Sequence, residues 1–169
     1  HKELQSQYEN FEISSSVKEN IELLLSDNTF TVTTGHQLNI FTGPMYVIYK
    51  IISTINLARH LSKKYPKFNF VPVYWMASED HDFEEIKSFY TNGKTYTWNI
   101  KSKGAVGNLE TESLKNIFDE KISIPEFFRE AYLSGESLSG AVRKYMNTLF
   151  GEYGLTIIDP NSKNLKATI

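Results

Sequence analysis

The sequence predicts an α/β fold built on a parallel sheet, and three runs carry that prediction. "TFTVTT" (29–34) is rich in β-branched residues and alternates as a strand does. From Pro44 to Lys64 apolar residues recur at helical spacing, at Ile48, Ile51, Ile52, Ile55 and Ala58, behind a proline suited to the first helical position. "FNFVPVYWMAS" (68–78) is apolar at nearly every position, as a strand covered on both faces should be. Strand, helix and strand within about 50 residues make one right-handed crossover unit.

The flanking elements follow in order. A short helix is predicted over 2–11, and a second from Ser16, where "SVKE" puts Glu19 at capping-box spacing and Ile21, Leu24 and Leu25 form an apolar stripe. "SFYTNGKTYTWNI" (88–100) places two β-prone runs around Asn92-Gly93, a strong hairpin signal, and this hairpin is expected outside the parallel sheet with "KGAVGNL" (103–109). Helices are predicted at 112–121, at 125–133 behind Pro125, and at 138–150 behind Ser137 or Ser139. "GLTIIDP" (154–160) is the last strand.

Composition narrows the function classes. The 169 residues suffice for one domain with a real core. A formal charge of -2 gives no broad basic face for nucleic acid, and no apolar run reaches the ~18 residues of a membrane span. With no cysteine, disulfides, thiolate zinc sites and cysteine nucleophiles are absent, which fits a cytoplasmic location. The polar opening "HKELQSQYENFEISSS" is not a signal peptide; the missing initiator Met and the "LKATI" ending predict a piece of a longer chain.

Two stretches can carry chemistry. The first is the loop from Thr34 to Thr42, expected between the carboxyl end of a buried strand and the start of the 44–64 helix. Ligands collect at such strand ends, and a helix start offers free N–H groups to phosphate or carboxylate. Gly35 and Gly43 permit close backbone approach, His36 and Gln37 can donate to oxyanions, and Thr42 can cap the helix or bind a ligand. The alternative is a capped turn with an exposed histidine, since the spacing matches neither the Walker loop nor the dinucleotide fingerprint.

The second stretch is "SEDHDFEE" (78–85), again where an apolar strand ends. Glu79, Asp80, His81 and Asp82 can orient an amine, take a proton from it, or hold a divalent metal. The alternative is an acidic helix start, with Asp82 as N-cap and Glu84 and Glu85 in the first turn. Elsewhere Lys50, Arg143 and Lys144 read as solvated, Tyr46, Tyr49, Trp75 and Met76 as packing, and Asp159 as a turn residue.

"TGHQLNIFTGPMYVIYKIISTINLA" (34–58), "VPVYWMASEDHDFEEI" (71–86) and "LFGEYGLTIIDP" (149–160) closely resemble, in this order, segments of the bacillithiol biosynthesis cysteine-adding enzymes, a family of cysteine ligases. The resemblance covers residues from about 29 to the end and implies the amino-terminal part of a longer protein. It implies a Rossmann-like core related to class I aminoacyl-tRNA synthetases, with an inserted hairpin and helices. In those terms residues 1–28 are helices packing on the core, 29–86 its first part, 87–136 an inserted connecting segment, and 137–169 a truncated return to the core. A carboxyl-terminal coiled coil, through which a homodimer would form, lies outside the sequence.

The implied reaction joins the carboxyl of cysteine to the amine of glucosaminyl-malate, with ATP or another nucleotide as cofactor, no metal, and no nucleic-acid or membrane partner. "TGHQ" occupies the place of the synthetase "HIGH" signature but keeps one histidine of two, which leaves the role of His36 open. "EDHD" (79–82) fits the family fully. The implied site has Asp80, His81 and Asp82 as catalytic residues, with Thr34, Gly35, His36, Gln37, Thr42, Gly43, Pro44 and Glu79 binding substrate or nucleotide. Two other classes remain: a non-catalytic module binding a nucleotide or sugar acid, and a metal-dependent hydrolase with His36, Asp80, His81 and Asp82 as ligands.

Overall fold

The computed structural model describes residues 1–118, 122–134 and 137–167. The end of the helix predicted over 112–121 lies outside the described residues. Helices α1 (Lys2–Tyr8) and α2 (Ser15–Leu23) precede strand β1 (Thr29–Gln37), helix α3 (Met45–Lys64) and strand β2 (Asn69–Ala77). A one-turn helix α4 (Phe83–Ile86) leads to the hairpin β3 (Ser88–Thr91) and β4 (Lys94–Thr97). Then come α5 (Lys115–Phe118), α6 (Glu126–Leu133), α7 (Leu138–Phe150), β5 (Thr156–Ile158) and α8 (Lys163–Lys166).

The sheet is parallel with order β1-β2-β5, and β3-β4 form a separate antiparallel pair. This is the α/β, Rossmann-like arrangement with a hairpin and helices between β2 and β5. β2 is the central strand, and its buried residues Val71, Val73, Tyr74 and Met76 explain its unbroken apolar run. Pro72 is tolerated because β5 flanks β2 only from Val73 to Trp75, so one side of Pro72 has no ladder to break. α3 packs on β1 and β2, while α2 packs on β2 and β5. In the hairpin, Asn92 (φ 50) and Gly93 (φ 77) both take the left-handed region that a type I′ turn needs.

β1 departs from the expected buried strand. It is an edge strand with Thr31, Thr33 and Gly35 exposed, and Phe30 is 51% exposed against the rings of Phe68 and Phe70. It also runs three residues longer than predicted, because Gly35, His36 and Gln37 stay in register with Trp75, Met76 and Ala77. These three residues therefore belong to the strand and not to the loop. Pro44 is the N-cap of α3 and not its first residue, and its extended backbone (ψ 147) is what a position outside the helix allows.

Smaller departures have local causes. Ser14, not Ser16, caps α2, its hydroxyl accepting from the Val17 N–H and donating to the Gly151 carbonyl. Leu25 and Ile52 are exposed, since α2 ends before Leu25 and the face of α3 that meets the sheet is Val47, Ile51, Thr54, Ile55 and Ala58. One continuous core joins Leu4 and Tyr8 of α1, Val17 and Ile21 of α2, the sheet, and Trp98, Phe118, Phe128, Tyr132 and Tyr145 from the region beyond β2.

Candidate functional site

The carboxyl ends of β1 and β2 are tied together by side chains. Gln37 Nε2, at the end of β1, donates to Asp80 Oδ2 just past the end of β2. Asp80 Oδ1 accepts from the backbone N–H groups of His81 (2.6 Å) and Asp82 (3.1 Å). The Gln37 bond, then the Asp82 N–H, then the His81 N–H and the neighbouring His81 charge hold the Asp80 carboxyl below its ordinary value, against slight desolvation. Asp82 Oδ1 accepts from the Glu85 N–H at 3.1 Å and caps α4, so the capping alternative describes its local role. The His81 side chain is exposed and forms no hydrogen bond with the described residues. Glu79 places Oε2 out of solvent with no hydrogen-bond partner among them.

His36 is held from both ring nitrogens. Nδ1 lies 2.9 Å from the Gln37 carbonyl, which only accepts, and Nε2 lies 2.7 Å from the Tyr46 hydroxyl. In the neutral ring the 2.9 Å contact to the Gln37 carbonyl, shorter than the 3.4 Å approach of the Asn39 amide nitrogen, favours the proton on Nδ1 and makes Tyr46 the donor to Nε2. Tyr46, read from sequence as packing, is instead exposed and polar in its role. Lys50 is likewise not merely solvated, because its ammonium donates to the Gly35 carbonyl at 2.5 Å on the open edge strand.

The loop between β1 and α3 is gripped by residues far along the chain. Tyr132 of α6 accepts the Phe41 N–H on its hydroxyl at 2.5 Å, while Tyr145 of α7 donates to the Phe41 carbonyl. Burial pushes both phenols well above their ordinary pKa, so both stay neutral. Phe41 takes a left-handed backbone (φ 59), unusual for a side chain of its size. Gly43 (φ 66) is required as glycine, since a Cβ there would stand 2.9 Å from Asn39 Cγ; Gly35 is not, its nearest contact being an ordinary 3.6 Å. Thr42 does not cap α3, which has no side-chain cap.

A cavity of about 600 Å³ opens beside this loop. Phe41, Phe89 and Phe128 form its apolar wall, with Phe41 edge-on to Phe89 at 4.8 Å and to Phe128 at 5.1 Å. Of the predicted residues, His36, Thr42, Gly43 and Pro44 line it; Thr34, Gly35, Gln37, Glu79, Asp80, His81 and Asp82 do not. The site thus has two parts: the tied strand ends and a cavity reaching under the hairpin.

Across the whole amino-acid chain, residues 1–169 match the model of the N-terminal Rossmann-like domain of the bacillithiol biosynthesis protein BshC. The chain belongs to the BshC family. A relative from Flavobacterium johnsoniae named "Putative cysteine ligase BshC" is 52% identical over 96% of this chain and 33% of its own length. Relatives of the same name from Cytophaga hutchinsonii and Salinibacter ruber are 45% and 31% identical, over 96% and 97% of this chain and 31% and 33% of their own lengths. The chain spans about a third of the length of the BshC relatives it matches.

Several residues of this BshC domain that shape the site escaped sequence reasoning. Arg143 does not face water: it is buried, and it donates to the Gln7 carbonyl, Gln7 Oε1 and the Ile157 carbonyl while lying over the rings of Tyr8 and Phe11. Its spacing with Met146 and Phe150 on one helical stripe was the available signal. Asp159 is more than a turn residue, since Ser78 donates to its carboxylate and Gln7 bonds its backbone N–H and carbonyl. The segment around Val106 and Gly107 crosses the end of β2, donating to the Asp80 and Ser78 carbonyls at 2.7 and 2.9 Å. Among the described residues no group of three His, Cys, Asp or Glu is placed to hold a metal ion, and no helix is long and apolar enough to cross a membrane.

Proposed function

We propose that this chain is the amino-terminal domain of a ligase that joins the carboxyl of cysteine to the amine of glucosaminyl-malate, the last step of bacillithiol biosynthesis. The observation that carries this reading, within the family, is the Gln37–Asp80 tie, which holds "TGHQ" and "EDHD" at adjacent strand ends beside a ligand-sized cavity. The start of α3, where the N–H groups of Met45 and Tyr46 follow the Thr42-Gly43-Pro44 turn without a side-chain cap, offers donors to an anionic group of the substrate or of ATP or another nucleotide. Thr34, Gly35, His36, Gln37 and Glu79 complete the substrate- or nucleotide-binding set in this reading.

Amide formation needs a neutral amine, whose lone pair attacks the activated carboxyl while its proton leaves to a base. The exposed His81 imidazole takes that proton; Asp80 supports its charge, and Asp82 caps the turn of α4 that follows. In this reading residues 87–136 are a connecting segment inserted into the core, the protein works in the cytoplasm, and the longer chain pairs through its coiled coil.

The test is full-length protein given glucosaminyl-malate, cysteine and ATP, with product read by mass spectrometry. Bacillithiol is expected from wild type and not from His81→Ala or Asp80→Ala, both folded. Normal product from both variants overturns the residue assignment, and none from wild type overturns the ligase.

A further inference from the structure

The cavity under the hairpin has a chemistry of its own. Its apolar wall of Phe41, Phe89 and Phe128 faces a rim of small hydroxyl and amide groups, among them Ser88, Thr91 and Ser123. Among its described lining residues none is Lys or Arg, and Glu85 is the one carboxylate. That carboxylate has no hydrogen-bond or ion-pair partner among the described residues: Glu84 pairs with Lys87 at 2.6 Å, whereas Glu85 gives only its backbone N–H to Asp82. Phe41, at the centre of the wall, is held in its left-handed backbone from both sides by buried tyrosines, so the wall is set before any ligand arrives.

Aromatic rings offer apolar faces to a sugar ring, hydroxyl groups exchange hydrogen bonds with its hydroxyls, and a lone carboxylate favours a cationic amine over a neutral or anionic group. We infer that this cavity is the subsite for the amino-sugar end of the acceptor, and that Glu85 distinguishes a free amine from a hydroxyl at that position. The inference rests on the ligase reading for which amino sugar enters. Glu85 takes the amine as the ammonium in which it arrives; before attack its proton passes to His81, which precedes α4 in the chain. The acid end of the acceptor then lies at the α3 end of the same cavity, where Thr42, Gly43 and Pro44 line it.

The experiment compares binding of glucosaminyl-malate and glucosyl-malate, which differ by amine against hydroxyl, to full-length protein by calorimetry. Wild type is expected to prefer the amine by about tenfold or more, the range of one charge-assisted hydrogen bond. Glu85→Gln, isosteric and exposed, brings the preference close to one with an unchanged melting temperature, and Phe89→Ala weakens both ligands alike. A preference that survives Glu85→Gln, or no preference in wild type, overturns the subsite even where product forms. Amine-selective, Glu85-dependent binding without product with any thiol amino acid sustains the subsite and overturns the ligase reading.

Discussion

Gln37 and Asp80 hold the ends of β1 and β2 together through one side-chain hydrogen bond spanning 43 residues of sequence. Because the bond favours the ionised carboxyl, the tie is complete at neutral pH and is lost as pH falls through the lowered pKa of Asp80. Gln37→Ala is expected to move the Asp80 titration up toward the ordinary value of about 3.9. Carboxyl-carbon NMR titration measures it; an unmoved Asp80 would show that the backbone N–H groups alone set its charge.

Tyr46 sets the tautomer of His36. Tyr46→Phe removes the donor to Nε2 while the Nδ1 bond to the Gln37 carbonyl remains. Nitrogen-15 shifts of the ring are expected to report an Nδ1–H tautomer in wild type, and faster exchange between tautomers in the variant. An Nε2–H tautomer in wild type contradicts the arrangement.

Tyr132→Phe leaves the Phe41 N–H without its partner in a partly buried place. The expected cost is about 1–3 kcal/mol of unfolding free energy, read from denaturant midpoints. Tyr145→Phe frees a carbonyl, which is more easily satisfied by water, and is expected to cost less.

Gly107→Ala is predicted to destabilise by about 1–3 kcal/mol, because a Cβ there would lie 2.6 Å from Ser78 Cβ and 2.8 Å from the Ser78 carbonyl. Gly104→Ala meets nothing within 4 Å and carries only the cost of its positive φ, about 1 kcal/mol. Thermal melts of the two variants should rank them in that order.

Much of the fold was legible because local and global preferences agree. The Asn92-Gly93 turn, the apolar run of β2 and the Pro44–Lys64 periodicity each have one physical reading, and the structure follows it. The open edge of β1 was not legible, since "TFTVTT" alternates equally well in a strand with one neighbour or two. In the candidate site, position alone pointed to the two strand ends, yet it put Gly35, His36 and Gln37 in the loop and gave none of their partners. Tyr132, Tyr145 and Arg143 act over separations of 91 to 136 residues, and nothing local distinguishes a packing tyrosine from one that holds a distant loop.

The grip of Tyr132 and Tyr145 on Phe41 also limits what can be transplanted. The β1–α3 segment carries the residues that mark the family, but its left-handed bend at Phe41 is written in α6 and α7. Grafted onto another parallel sheet, the same letters would relax into an ordinary turn. A protein engineer seeking this loop must move both helices with it.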